Sequence, residues 1–135
     1  MDRKVVKIII CGEDNKTAEL LQNILSNEAY SFRHFEDIEN AIQHLCPGDY
    51  QVLLIGLCQQ SCEGKLDGLR AIPILRKIDP GLPIIAIAHD ESLETERKAR
   101  MAGIFYYLLQ PLEENEVRIS VMNAVRKFER YIGNQ

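Results

Sequence analysis

Apolar segments alternate with amphipathic segments along the chain. Four of the apolar segments are continuous runs rich in β-branched residues, which is typical of strands buried on both faces of a sheet. These runs cover 5–11, 52–57, 83–88 and 104–109. A fifth, more polar segment at 30–35 is typical of a strand near the edge of a sheet. The pattern therefore predicts five strands.

Each predicted strand is followed by a segment whose apolar residues recur at helical spacing. The predicted helices cover 15–27, 38–45, 68–78 and 91–102, and the last begins near Glu113. Asp37 is typical of a helix start and Gly103 of a helix end, while Pro73 lies early in the third helix or kinks it. Five successive βα units predict one α/β domain over 1–135, with helices on both faces of a parallel sheet.

The composition is that of an ordinary packed domain. Hydrophobic residues make up 46% of the 135 positions, and the formal net charge of -4 combines both signs, so no basic face for nucleic acid is predicted. No apolar stretch approaches the roughly 20 residues of a membrane span. The amino terminus leads directly into a strand rather than into a signal peptide. We expect a cytoplasmic protein with neither a nucleic-acid nor a membrane partner.

The cysteines lack the paired knuckles of a zinc site. Cys11, Cys46, Cys58 and Cys62 are therefore predicted to be free thiols in a reducing compartment. Cys11 and Cys58 are expected to be small buried side chains, and an oxidation-sensitive pair is the alternative, which would require a lowered thiol pKa. The histidines are scattered, and His89 and Asp90 are expected to lie in a solvated loop.

Several short motifs follow one another in a defined order. They are Lys7-Ile8-Ile9-Ile10, Asp67-Gly68-Leu69, Pro83-Ile84-Ile85-Ala86-Ile87, Ala102-Gly103 and Gln110-Pro111-Leu112, with Tyr107 between the last two. In order and spacing they resemble the receiver domain of bacterial two-component systems, over nearly the whole chain. The resemblance implies a flavodoxin-like (βα)5 three-layer sandwich, with a five-stranded parallel sheet in the order 2-1-3-4-5. It also implies a regulatory, non-enzymatic domain of a phosphorelay-type signalling pathway.

The resemblance further implies a phosphoacceptor site at the carboxyl edge of the sheet. In the family an aspartate ends the third strand, an acid pair after the first strand holds Mg²⁺, and a hydroxyl and a lysine end the fourth and fifth strands. In this chain the acceptor position falls on Gly56, the acid pair on Gly12 and Glu13, the hydroxyl on Ala88 and the lysine on Gln110. We therefore expect no aspartyl phosphorylation, no Mg²⁺ or other metal, and no cofactor.

The acid pair has a second possible register. A shift by one residue would place it on Glu13 and Asp14 without restoring an acceptor at Gly56. These two acids are expected to lie at a helix N-terminus, which favours negative charge, and a residual cation site is the alternative.

Protein contacts are the expected mode of action. In the family, the surface formed here by 91–130 is the usual dimer and partner surface, and Tyr107 matches the switch aromatic. We expect a protein partner or self-association through this surface, and the resemblance implies a histidine kinase or a fused output domain as a partner. Two alternatives remain open: a phosphorylatable regulator with a displaced acceptor, and a thiol redox sensor or flavodoxin-like cofactor binder. The loop at 12–17 lacks a glycine-rich phosphate cradle, which disfavours the cofactor binder.

Overall fold

Five strands and five helices alternate in the computed structural model, which describes residues 5–26, 29–57, 66–89 and 91–133. The strands are β1 (Val6–Cys11), β2 (Tyr30–Phe35), β3 (Val52–Leu57), β4 (Ile84–Ala88) and β5 (Tyr106–Leu109). The helices are α1 (Asn15–Ile24), α2 (Ile38–His44), α3 (Gly68–Ile78), α4 (Leu93–Met101) and α5 (Glu114–Gly133). The interpretations made for Cys58, Cys62 and Asp90 lie outside the described residues.

The five strands form one parallel sheet in the order β2-β1-β3-β4-β5. The predicted fold class and the strand order implied by the resemblance are therefore confirmed. The more polar strand β2 lies at one edge, as its sequence predicted. In the centre, Cys11 of β1 pairs with Ile55 of β3, and Gly56 of β3 pairs with Ile87 of β4. The end of β3 thus lies between the ends of β1 and β4.

The sheet separates two hydrophobic cores. On one face, Ile9 and Leu53 pack with residues of α2, α3 and α4. On the other face, Ile8 and Leu54 pack with residues of α1 and α5. Because successive side chains of a strand point to opposite faces, the continuous apolar runs supply both cores at once.

Aspartates begin three helices at the carboxyl edge of the sheet. The side chain of Asp14 accepts a hydrogen bond from the backbone N–H of Thr17 at 2.8 Å, and Asp67 accepts one from Arg70 at 2.9 Å. Asp37 caps α2 as predicted. Each carboxylate satisfies a first-turn N–H that has no partner within the helix, which stabilises a helix start by about 1 kcal/mol.

The predicted element boundaries differ from the observed ones by up to three residues. α1 ends at Ile24 instead of 27, and α4 begins at Leu93 because Ser92 caps it. The physical reason is that apolar spacing reports burial, which continues beyond the last helical hydrogen bond: Leu25 is buried, yet it follows α1. β4 and β5 also begin one and two residues later than predicted. Within the described ranges, no helix is long and apolar enough to cross a membrane.

Candidate functional site at the carboxyl edge of the sheet

Residues that follow β1 and β4 meet above Gly56 of β3. Gly12 and Glu13 come directly after β1, and His89 comes directly after β4. Gly56 has no side chain, so the space above it is open to groups from both neighbouring strands. Three of the predicted site residues, namely Gly12, Glu13 and Gly56, are therefore together in space.

The carboxylate of Glu13 fills the space that a side chain at Gly56 would occupy. A β-carbon built on Gly56 would collide with Oε1 of Glu13 and with the carbonyl oxygen of Gly12, and it would lie 2.7 Å from Cδ of Glu13. Real β-carbons essentially never approach other heavy atoms this closely. The acceptor position implied by the resemblance is thus occupied by a carboxylate that arrives from the β1–α1 loop.

The turn at Gly12 allows this arrangement. Gly12 has a φ of 75°, in the left-handed region that favours glycine. A β-carbon there would also lie 3.0 Å from Cδ1 of Ile38 and 3.1 Å from the carbonyl oxygen of Gly56. Because Gly12 carries no side chain, the loop lies close against β3 and α2.

Glu13 is buried and makes a hydrogen bond to a histidine. Its side chain is 3% exposed, and its Oε1 lies 3.1 Å from Nε2 of His89, whose side chain is 42% exposed. Burial raises the pKa of the Glu13 carboxyl above its usual range, because the charged form loses its hydration. The hydrogen bond and charge of His89, and the more distant His34, oppose this increase. Glu13 thus lies next to the start of α1, as expected, but its carboxylate is turned into the sheet edge instead of serving as the cap, which is Asp14.

His34 holds the same loop from the other side. Its Nε2 lies 2.7 Å from the backbone carbonyl oxygen of Glu13. His34 is in β2 and pairs with Ile10 of β1, so β2, β1 and β4 each place one member of this group at the same edge. We call Glu13, His34 and His89 the edge cluster.

Asp14 and Cys11 flank the edge cluster and have different roles. Asp14 is exposed and caps α1, and the hydrogen bonds from Thr17 hold the pKa of its carboxyl below its usual range. Cys11 is fully buried, and burial, followed by the nearby Glu13, raises the pKa of its thiol to about 12. The expectation of a buried, unreactive side chain at Cys11 agrees with this environment.

The ends of β4 and β5 carry neither a hydroxyl nor a lysine at the expected positions. Ala88 is 1% exposed, and its carbonyl oxygen accepts a hydrogen bond from the backbone N–H of Gln110 at 2.9 Å. The peptide bond between Gln110 and Pro111 is cis. The assignment of Ala88 and Gln110 as altered receiver positions stays a prediction.

Tyr107 lies on the face of the sheet that carries α3 and α4. Its ring packs against that core, its hydroxyl oxygen is buried, and the guanidinium carbon of Arg100 lies 5.9 Å from the ring centre. Tyr106 points to the opposite face, where its hydroxyl donates a hydrogen bond to Glu116 at 3.1 Å. Successive side chains of a strand point to opposite faces, so the two neighbouring tyrosines pack against different cores. The switch role of Tyr107 stays a prediction.

The two histidines of the edge cluster were missed by the sequence interpretation. His89 does lie exposed after β4, as expected of a solvated loop, but its hydrogen bond to Glu13 was not anticipated. One signal was present: a glycine near the end of a central strand leaves a gap that residues following the two adjacent strands can fill. His34 could be placed only once the β1–β2 register was known.

Comparisons with known proteins agree with the fold. A family model of the response regulator receiver domain matches residues 8–122. The nitrogen assimilation regulatory protein NtrX of Azorhizobium caulinodans is 22% identical over 87% of this chain and 26% of its own length. The transcriptional regulatory protein GlrR of Escherichia coli K12 is 20% identical over 94% of this chain and 28% of its own length. The chain thus spans about a quarter of the length of these curated relatives.

Solved structures show the same architecture. A CheY-like receiver domain from Methanospirillum hungatei superposes with a TM-score of 0.82 at 16% identity, covering 95% of this chain and 99% of that one. NtrX from Brucella abortus, solved in complex with ADP, gives a TM-score of 0.81 at 20% identity over 96% of this chain and 29% of that one. The family match extends over most of the chain, and it coincides with a parallel sheet in the order 2-1-3-4-5. This chain therefore belongs to the response regulator receiver domain family.

Proposed function

We propose that this chain is a regulatory receiver domain that acts through protein contacts, without phosphorylation and without Mg²⁺. One observation carries the proposal: the Glu13 carboxylate stands where the acceptor side chain of β3 would have to project. Phosphoryl transfer to a carboxylate requires an accessible nucleophile with room for the incoming group. Gly56 supplies no nucleophile, and the space above it is filled.

Glu13 itself is a poor replacement for the acceptor. Its side chain is 3% exposed, and the oxygen nearest to His89 is engaged in a hydrogen bond. Its pKa is raised, so a larger fraction of the group carries a proton than in an ordinary glutamate. These features favour a structural role for Glu13 over a displaced acceptor.

The groups at this edge fit Mg²⁺ poorly. Mg²⁺ requires nearly octahedral coordination by oxygen, and in phosphotransfer sites it takes one or two carboxylates together with water. Gly12 and Gly56 offer no side-chain oxygen, and Glu13 faces a histidine. Among the residues that the structure describes, no group of three His, Cys, Asp or Glu side chains is placed to hold a metal. This set of groups supports a domain that works without the ion.

The surface formed by α4 and α5 supports a role in protein contact. Leu93 and Met101 of α4 are 81% and 82% exposed. They are eight residues apart, so they lie roughly on one side of the helix. Many surrounding charges pair within their own helix, for example Glu94 with Lys98 at 3.1 Å. Such surface pairs contribute at most about 1 kcal/mol each, which leaves the exposed apolar side chains as the main source of binding energy.

In this proposal the domain is cytoplasmic and communicates with a kinase or an output domain, on the same chain or on another. The names of the longer relatives, which are regulatory proteins of nitrogen assimilation and transcription, support an output domain as the partner. The proposal assigns no catalytic step to the chain. A redox role is disfavoured by the burial and high pKa of Cys11.

Intact-mass measurement tests the proposal directly. The protein is incubated with acetyl phosphate and Mg²⁺, and a receiver with an intact acceptor is treated in parallel to show that the reagent is active. We expect no change in mass. A gain of one phosphoryl group that hydroxylamine removes would refute the proposal, and its loss in the variant Glu13→Gln would identify Glu13 as the acceptor.

A further inference from the structure

The Glu13 side chain links two loops that belong to different parts of the domain. Glu13 lies in the β1–α1 loop, and His89 is the first residue after β4, three residues before Ser92 caps α4. The hydrogen bond of 3.1 Å between them crosses the end of β3, which lies between β1 and β4 in the sheet. The link is possible because Gly56 has no side chain to occupy the space between the two loops.

We propose that Glu13 is a built-in ligand of this edge: its carboxylate replaces an external group above Gly56 and, through His89, fixes the start of α4. This inference rests on the proposed function, because it says what holds the domain in its signalling conformation when no phosphoryl group does. It assigns Glu13 and His89 a positioning role. It makes α4, with its exposed Leu93 and Met101, dependent on a contact at the carboxyl end of β4.

Three features show that the contact is built into the fold. The carboxylate is buried, so little bulk water reaches the Glu13 side of the hydrogen bond. His34 holds the backbone of Glu13 at 2.7 Å, which limits the movement of the loop. The positive φ of Gly12 sets the course of the loop immediately before Glu13. The charged and titratable groups around the carboxylate are His89 after β4, His34 on β2, Cys11 on β1 and the like-charged Asp14.

The link to α4 is short enough to transmit a local change. Ser92 starts α4 by accepting a hydrogen bond from the backbone N–H of Thr95, and its carbonyl accepts one from Glu96. These bonds form the first turn of α4. If His89 loses its partner, the chain is held less firmly three residues before Ser92, and we expect the first turn of α4 to open more often.

Amide hydrogen exchange on the full chain measures this effect. We expect His89→Ala and Glu13→Ala to accelerate exchange at the amides of Thr95 and Glu96 by roughly tenfold, the loss expected for a hydrogen bond to a charged group. Glu13→Gln keeps an oxygen that can accept from His89, so exchange should stay close to that of the unmodified chain. His44→Ala is the matched control, because His44 is exposed on α2, and its described contacts are with the carbonyl of Asn40 and the ring of Phe35, not with the edge cluster or α4.

A rescue experiment separates the built-in ligand from a general loss of stability. Glu13→Ala leaves a space above Gly56 that a small carboxylate can enter, so sodium acetate should slow exchange at Thr95 and Glu96 in this variant. Sodium chloride at equal ionic strength should not slow this exchange. Acetate should also leave the exchange rate of His89→Ala unchanged, because that variant lacks the histidine partner.

Two results would overturn the inference. One is unchanged exchange in the first turn of α4 in both His89→Ala and Glu13→Ala. The other is acceleration that is equal throughout α4 and α5, which would indicate global destabilisation. If Glu13→Ala does not fold, the exchange rates of Thr95 and Glu96 in His89→Ala, compared with those in His44→Ala, still test the inference. Neither result depends on phosphorylation. The exchange experiment therefore tests the inference separately from the mass measurement, which tests the proposed function.

Discussion

Replacing Gly56 by alanine tests the crowding above β3, because the crowding determines whether the substitution raises or lowers the stability of the domain. Gly56 is not among the glycines with positive φ, so alanine suits its backbone. At such a position the substitution normally stabilises a protein by about 0.4–1 kcal/mol, because it restricts the unfolded chain. Here the new β-carbon collides with Oε1 of Glu13 and the carbonyl oxygen of Gly12. We therefore expect Gly56→Ala to destabilise the domain.

The expected cost is at the upper end of the range for overpacked interiors. Forcing a methyl group into a filled site costs about 1–3 kcal/mol. One of the two oxygens belongs to the backbone and cannot swing away, which points to about 3 kcal/mol. For a chain of 135 residues, an unfolding entropy of about 0.28 kcal/mol/K converts this to a decrease in Tm of about 10 °C.

A double-mutant cycle separates the two collisions. In Glu13→Ala the carboxylate is gone, so Gly56→Ala should then cost at least about 1 kcal/mol less than in the unmodified chain. Gly48→Ala is the control: it has open space around it but a φ of 85°, so its cost comes from the backbone alone and should not change with Glu13. The measurements are urea or thermal unfolding followed by circular dichroism. An unchanged or raised stability of Gly56→Ala, or an additive cycle, would show that Glu13 does not occupy this space.

Three further predictions follow from the same geometry and its surroundings. The pKa of Glu13 is raised in the folded state, so the stability that this group contributes is fully present below its unfolded pKa, near 4.5, and is lost as pH rises through its folded pKa. Glu13→Gln should therefore become more stable relative to the unmodified chain between about pH 4.5 and neutral pH. A difference in the free energy of unfolding, measured in urea, that stays constant over this pH range would contradict the prediction. With a thiol pKa of about 12, Cys11 should resist iodoacetamide at neutral pH until the protein is unfolded in urea, whereas the exposed Cys46 should react in the folded state, as peptide mass mapping would show. Replacing both Leu93 and Met101 by serine should leave Tm within a few degrees, because both side chains are exposed. The same change should weaken self-association, or binding to a kinase or output domain, by at least about tenfold, as measured by sedimentation or titration. Unchanged affinity would exclude this part of α4 as a contact.

The architecture could be predicted from the sequence because it depends on many residues acting in the same direction. The strands of the sheet interior are largely apolar runs. In Val52–Leu57, for example, every residue is buried, and no single substitution would hide that pattern. The helix starts were also readable, since Asp37 is a capping residue followed by apolar positions at helical spacing. The helix ends were less predictable, because the buried Leu25 continues the apolar pattern beyond the last turn of α1.

The edge cluster could not be predicted in the same way, because its members are separated by up to 76 residues and no periodicity relates them. Reading the loops one at a time gives Glu13 a helix start and His89 a solvated loop, and each interpretation is reasonable in isolation. What changes both is a third position, Gly56, whose missing side chain leaves a gap between the two loops. In the proposed function, a glycine at the acceptor position therefore does more than remove a nucleophile, because it also makes room for Glu13.

The gap at Gly56 and the burial of Glu13 also explain each other. A carboxylate is costly to bury unless it is hydrogen-bonded, so Glu13 would stay in solvent if β3 carried a larger side chain at this position. Conversely, an empty space above Gly56 would cost the domain packing energy, which the Glu13 side chain restores. Because His89 supplies the hydrogen bond that burial requires, the three residues form one unit. It follows that introducing an aspartate at Gly56 alone should not create a phosphoacceptor site, since the new carboxylate would have to displace Glu13 and then share the edge with it.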